Sequence, residues 1–161
     1  MQIFIADLRE IIKKKDLESV LSSPKRRADF VRYQNMKSEK RRREFLVGRW
    51  LIHQVLGDNY SVLPSGALHS KKCFLSLAHS GCWVVLAVSD NPIGVDIEDT
   101  SKQRDFKKLA ALKGFSKPKN AMDFYTDFTR YEADFKLGKT PTKHHFYELD
   151  DFLICVAEGV L

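Results

Sequence analysis

Ile93-Gly94-Val95-Asp96-Ile97-Glu98 is the stretch whose reading decides the fold. It alternates strictly, and successive side chains of a strand point to opposite faces. Ile93, Val95 and Ile97 therefore make an apolar face. Gly94, Asp96 and Glu98 share the other, with the two carboxylates about 6.5–7 Å apart along the strand. Gly94 leaves that second face open, with room for something bulky. Two carboxylates on a cleared face suit a hard divalent cation that also grips phosphate oxygens. An ordinary solvated strand face shows the same pattern, so this hexapeptide needs support from elsewhere in the chain.

Working outward, Asp90-Asn91-Pro92 reads as a turn. The run from Trp83 to Val88 is apolar throughout and predicts a strand buried on both faces. Residues 74–78 make another strand. His79-Ser80-Gly81-Cys82 between them reads as a turn, whose imidazole and hydroxyl can donate to an anion. The start, Met1 to Asp7, reads as a first strand and lacks the basic segment and cleavage site of a signal peptide. A helix is predicted from about 38 to 56, with Val47, Leu51 and Val55 as its buried stripe and Gly57 as its stop. A second helix is predicted from about 123 to 137, ended by Gly138. Phe124, Phe128, Tyr131 and Phe135 recur there at helical spacing as an apolar stripe. Tyr125, Thr129, Glu132 and Lys136 fall on a separate polar face that is free to line a cleft. Strands at 145–149 and 152–157 close the chain. The mixture predicts an α+β fold with mainly antiparallel sheet. No internal sequence repeat is visible.

The 161 residues suit one compact domain or two small halves, and 43% hydrophobic with 30% charged residues is a globular balance. No apolar run is long enough for a bilayer, so a cytoplasmic protein is expected. Three scattered cysteines do not make a disulfide framework, and the lack of a Cys-x-x-Cys pair argues against zinc despite His69 and His79. A net charge of +6, concentrated over residues 24–44, favours an anionic partner. Nucleic acid, an acidic protein and a polyphosphate all qualify. A basic nucleic-acid-binding domain is disfavoured because no nucleic-acid motif is present and the basic run 37–43 lacks interleaved aromatics.

Four segments then occur in a telling order: Arg43-Glu44-Phe45-Leu46-Val47-Gly48-Arg49, Ser76-Leu77-Ala78-His79-Ser80-Gly81, the Ile93–Glu98 hexapeptide, and Phe128-Thr129-Arg130-Tyr131-Glu132-Ala133-Asp134-Phe135-Lys136. The ordered set resembles the 4'-phosphopantetheinyl transferase superfamily, in particular its larger, surfactin-synthetase-activating branch. The chain departs from that pattern in three respects. Tyr131 stands where a lysine usually precedes the helix glutamate. The usual Gly-Lys-Pro before the His-Ser segment is missing, with only Lys71-Lys72 nearby. The chain is also shorter than typical members of the branch.

The resemblance implies two similar α/β halves related by pseudo-twofold symmetry, 1–92 and 93–161, with the active site between them. It implies transfer of the phosphopantetheine arm of coenzyme A to a serine of an acyl carrier protein or peptidyl carrier domain, releasing 3',5'-ADP. Such enzymes serve fatty acid, polyketide and nonribosomal peptide biosynthesis. By the same resemblance Asp96, Glu98 and Glu132 would hold Mg²⁺, with Mn²⁺ also suited to oxygen ligands. Glu132, Lys136 and Asp96 would be catalytic. Arg43, Arg49, His79, Ser80 and Lys136 would bind coenzyme A, and one of Lys25, Arg26 and Arg27 would reach its 3'-phosphate. A monomer with no nucleic-acid or membrane partner is expected. The alternative is a weakened member that binds coenzyme A without efficient transfer.

Overall fold

Strand β1 (Gln2–Asp7) runs into a one-turn helix α1 (Leu8–Ile11), whose first turn is capped by the Asp7 carboxylate accepting from the Arg9 N–H at 2.8 Å. The computed structural model describes residues 1–12, 17–63, 67–115 and 118–161. Two 3₁₀ turns, Leu17–Leu21 and Pro24–Arg26, lead to helix α2 (Arg27–Gln34) and then to the long helix α3 (Glu39–Leu56). The Ser38 hydroxyl accepts from the Arg41 N–H at the start of α3, and Gly57 at φ +56° ends it. A small hairpin, β2 (Ser61–Val62) and β3 (Leu68–His69), precedes β4 (Phe74–Ser80), β5 (Trp83–Ser89) and β6 (Ile93–Asp99). Helices α4 (Phe106–Lys113) and α5 (Ala121–Leu137) follow, then the hairpin β7 (Lys143–Leu149) and β8 (Phe152–Glu158). No helix of the described residues is long and apolar enough to cross a membrane.

The strands form two antiparallel three-stranded sheets, ordered β1-β5-β4 and β6-β8-β7. Each reads first strand, long helix, hairpin, with the last strand paired in the middle. The same β-α-β-β plan is thus used twice, with the break at the 90–92 turn, although no sequence repeat announces it. The layers run helix, sheet, sheet, helix. Val84, Leu86 and Val88 of β5 face α3 through Val47, Leu51 and Ile52. The opposite faces of the two sheets meet in a second cluster: Ala78, Val85 and Ala87 from one, Ile93, Val95, Ile97, Ile154 and Val156 from the other. Ala133 and Leu137 of α5 pack on Cys155 and Ala157. The mixed α+β fold with antiparallel sheets on helices agrees with the sequence reading.

Three local expectations need correction. His79 and Ser80 are not in the turn. They are the last residues of β4, Ser80 pairs with Trp83, and only Gly81-Cys82 close the hairpin, with Gly81 at φ +58°. A two-residue hairpin turn needs positive φ, which glycine supplies without strain. The α5 stripe is also rotated. Tyr125 (1% exposed) and Thr129 (0%) face the sheet, whereas Tyr131 (42%) and Phe135 (76%) face outward. The buried face is Phe124, Tyr125, Thr129, Ala133 and Leu137, a row of small and ring side chains that lets the helix come close. Third, the space above Gly94 is taken by that helix. A Cβ there would lie 2.1 Å from the Ala133 carbonyl oxygen and 2.6 Å from the Leu137 nitrogen. Helices α2 and α4 were not foreseen.

Candidate active site

The close seat of α5 on β6 builds the site. With Ala133 against Gly94, one helical turn onward brings Lys136 over the next strand residues. Its ammonium donates to Asp96 Oδ1 at 2.8 Å and to the Val95 carbonyl at 3.0 Å. The Val95 N–H donates across to Ser76 Oγ of β4 at 3.0 Å. Strands β4 and β6 lie side by side without laddering, so Ser76 and Lys136 satisfy backbone groups that no neighbouring strand reaches. Ser76 belongs to one of the quoted segments, yet its place at this seam could not be read from spacing.

Asp96 is 92% buried by its 8% exposure, and its Oδ2 has no hydrogen-bond partner. Burial raises its pKa above the usual carboxylate range, against the pull of Lys136, and the charge of nearby Glu132 raises it further. Glu98 is raised too, by burial first, with Arg104 opposing. Its Oε2 accepts from Arg104 Nη2 at 3.1 Å. Glu132 pairs with Lys113 of α4 at 3.4 Å. Among the described residues no three carboxylate, histidine or cysteine side chains are drawn into a ready cage for a metal. Each expected metal ligand instead holds its own cation.

From this point a cleft of about 1260 Å³ opens along β4 and the α2–α3 junction, with Lys136 at one end. Arg32, Lys37 and Arg41 stand on its wall, and Leu68, Leu75 and Leu77 give it an apolar floor. His79 lines it as well, half-exposed, with Nδ1 3.5 Å from Glu44. Desolvation lowers the His79 pKa, Lys136 and Lys40 push the same way, and Glu44 opposes them, so the balance favours the neutral ring. A neutral imidazole still offers one N–H to an anion.

Other expected anion ligands are placed differently. Arg49 reaches the cleft wall, but its Nε and Nη2 are given to the Asp29 carboxylate at 2.8 and 3.0 Å in a buried pair. Arg43 pairs with Glu39 on the outer surface, and neither it nor Ser80 lines the cleft. Arg26 is buried under the Tyr60 ring at 3.4 Å and donates to the Tyr60 carbonyl at 2.6 Å, so it cannot meet a phosphate. The Cys155 thiol is pushed up to about 12 by burial and is inert at neutral pH.

Over 93 aligned residues the chain is 34% identical to the 4'-phosphopantetheinyl transferase gsp of Aneurinibacillus migulanus. The alignment takes in 53% of this chain and spans 39% of the relative's length. That partial likeness supports the phosphopantetheinyl transferase superfamily. No protein-family profile matches the chain.

Proposed function

We propose that this chain is a transferase of the surfactin-synthetase-activating type. It moves 4'-phosphopantetheine from coenzyme A to the serine of an acyl or peptidyl carrier protein in the cytoplasm, as a monomer of two halves. The observation that carries this reading is the basic cleft that ends at the Lys136–Asp96 pair, with Glu132 close enough to act on Asp96.

The donor set, three carboxylates beside a basic cleft, is chemically suited to Mg²⁺. The unpartnered Oδ2 of buried Asp96 is the kind of oxygen a divalent cation satisfies. Asp96, Glu98 and Glu132 would hold the ion, or Mn²⁺ in its place. The chemistry it supplies when bound is neutralisation of charge on the pyrophosphate oxygens.

The protein's own side chains do the rest. Arg32, Lys37 and Arg41 draw the phosphates of coenzyme A into the cleft. His79 donates a neutral N–H to them, and the apolar floor accepts the less polar part of the cofactor. Glu132 takes the proton of the carrier serine. The serine oxygen attacks the phosphorus attached to pantetheine, and the bond to 3',5'-ADP breaks with its electrons going to the leaving phosphate. Lys136, already fixed by two acceptors, stabilises charge that grows on the pyrophosphate. The net charge of +6 speeds encounter with an acidic carrier.

Intact-mass measurement of an apo acyl carrier protein and an apo peptidyl carrier domain, each incubated with the protein, coenzyme A and Mg²⁺, tests this. The expected result is a gain of one phosphopantetheine, lost with EDTA and in Glu132→Gln. The separately ion-paired carboxylates favour a second reading, a weakened member that binds coenzyme A without efficient transfer. Binding with no mass gain on either carrier would establish that one instead.

A further inference from the structure

The segment between β6 and α5 carries two cations, and each meets one of the carboxylates just described. Arg104 Nη2 lies 3.1 Å from Glu98 Oε2, with its guanidinium 5.8 Å from the Tyr125 ring centre of α5. Lys113 Nζ lies 3.4 Å from Glu132 Oε1, with its ammonium 4.9 Å from the Tyr131 ring centre and 5.6 Å from that of Phe128. Lys113 is the last residue of α4, where a cation also suits the helix C-terminus. Phe115, just beyond, packs edge-on against Tyr131 at 5.5 Å and fixes that turn of chain on α5. Both cations are therefore posed on rings of one helix, each facing a single carboxylate.

Asp96 is treated differently. Lys136 takes only Oδ1 and is anchored to the Val95 carbonyl, while Oδ2 stays buried and unpartnered. A divalent cation at Asp96 Oδ2 has no hydrogen bond to break, although that oxygen is buried. It cannot take the paired oxygens of Glu98 and Glu132 without displacing Arg104 and Lys113.

We propose that Arg104 and Lys113 are placeholder cations: they keep Glu98 and Glu132 charge-balanced until a divalent cation displaces them. The proposal rests on the transferase reading for the identity of the three carboxylates as ligands. Its consequence is that the empty protein resists metal loading. The carboxylates of Glu98 and Glu132 stay apart, each in its own ion pair. Tyr131, where the resembling pattern has lysine, serves here as the ring that presents Lys113.

Mn²⁺ binding to the intact chain, followed by the electron paramagnetic resonance of free Mn²⁺ without coenzyme A, tests it. Lys113→Met and Arg104→Met should each bind Mn²⁺ about two- to fivefold more tightly, since partly exposed ion pairs of this kind hold modest energies. Lys113→Arg should bind as the unaltered protein does. Lys107→Met, which removes an exposed charge from the same helix, should change little at 0.15 M salt. Unchanged or weaker binding in both methionine variants, or an equal gain in Lys107→Met, overturns the proposal while leaving the transferase reading intact. Mn²⁺ binding by none of the proteins overturns both the proposal and the metal role of these carboxylates.

Discussion

β1 and β6 open the same β-α-β-β unit, yet the register gives them opposite contents. Phe4 sits opposite Leu86, three residues into β5, and Asp96 sits opposite Cys155, three residues into β8. By that correspondence Phe4 and Ala6 occupy in the first half the places that Asp96 and Glu98 occupy in the second. Phe4 and Ala6 join the apolar cluster under α3. In the second half glycine replaces bulk, the helix drops onto the strand, and the neighbouring carboxylates find helix side chains within reach. The difference shows how one topology yields a scaffold in one copy and a site in the other. What changes is the distance at which the helix is seated.

The largest test breaks that seat. Gly94→Ala places a methyl against the backbone of α5, with no flexible side chain to yield. It should cost about 3 kcal/mol or more, at the upper end for overpacking. The corresponding strand position in the first half is Gln2, which is exposed, and Gln2→Ala should stay within about 0.5 kcal/mol. Urea denaturation of both variants measures the contrast. A Gly94→Ala protein as stable as the original would mean that α5 can lift off β6 freely.

The first half holds its helix by another device, the buried Arg49–Asp29 pair that ties α3 to α2. Asp29→Ala leaves the guanidinium buried without its partner and should cost about 3 kcal/mol. If the pair is scaffold, the double variant Asp29→Leu, Arg49→Met should recover much of that loss. Recovered stability together with unimpaired coenzyme A binding would remove Arg49 from the anion site. Recovered stability with lost binding would return it there.

Gly48→Ala probes the analogous glycine contact under α3 and should be milder. The added Cβ would come 2.7 Å from Leu77 Cδ2, the end of a flexible side chain rather than backbone. A loss of about 1 kcal/mol is expected. A loss as large as that of Gly94→Ala would mean that both helices are seated equally tightly, and the contrast between the halves would fail.

Much of this was legible in the sequence, for identifiable reasons. The alternation from Ile93 to Glu98 fixed both the strand and its acidic face, because a period of two admits one reading. The helix from Ser38 to Gly57 showed its cap, its stripe and its stop. The rotation of α5 was not legible. Its aromatic residues recur at helical spacing along one line while Tyr125, Thr129 and Ala133 recur along another. Hydrophobicity favours the first line, but the sheet accepts the second because only small residues allow the approach that Gly94 permits. The partners of the carboxylates were hidden for a different reason. Arg104 and Lys113 lie in a stretch without motif, and contact across 6 and 19 positions leaves no periodic trace. The repeated topology was hidden because Phe4 and Ala6 share no chemistry with Asp96 and Glu98.

The smallest effect concerns what the second half gives up for its carboxylates. The Asp96 pKa is raised in the folded protein, burial outweighing Lys136, so the charged form fits the fold less well than the neutral one. For a carboxyl group raised on folding, the favourable contribution is present below its unfolded pKa and is lost as pH rises through the folded value. At neutral pH Asp96 is therefore a destabilising charge, and Asp96→Asn should melt slightly higher than the original protein while losing transfer. As pH falls through the raised value toward the usual carboxylate range near 4, Asp96 takes up its proton and the two melting temperatures should converge. Phe4→Leu, at the equivalent place in the first half, should lower the melting temperature by an amount that does not change with pH. If Asp96→Asn instead melts lower at neutral pH, the Lys136 pair outweighs the burial of the carboxylate. The second half would then owe stability to the same charge it uses for chemistry.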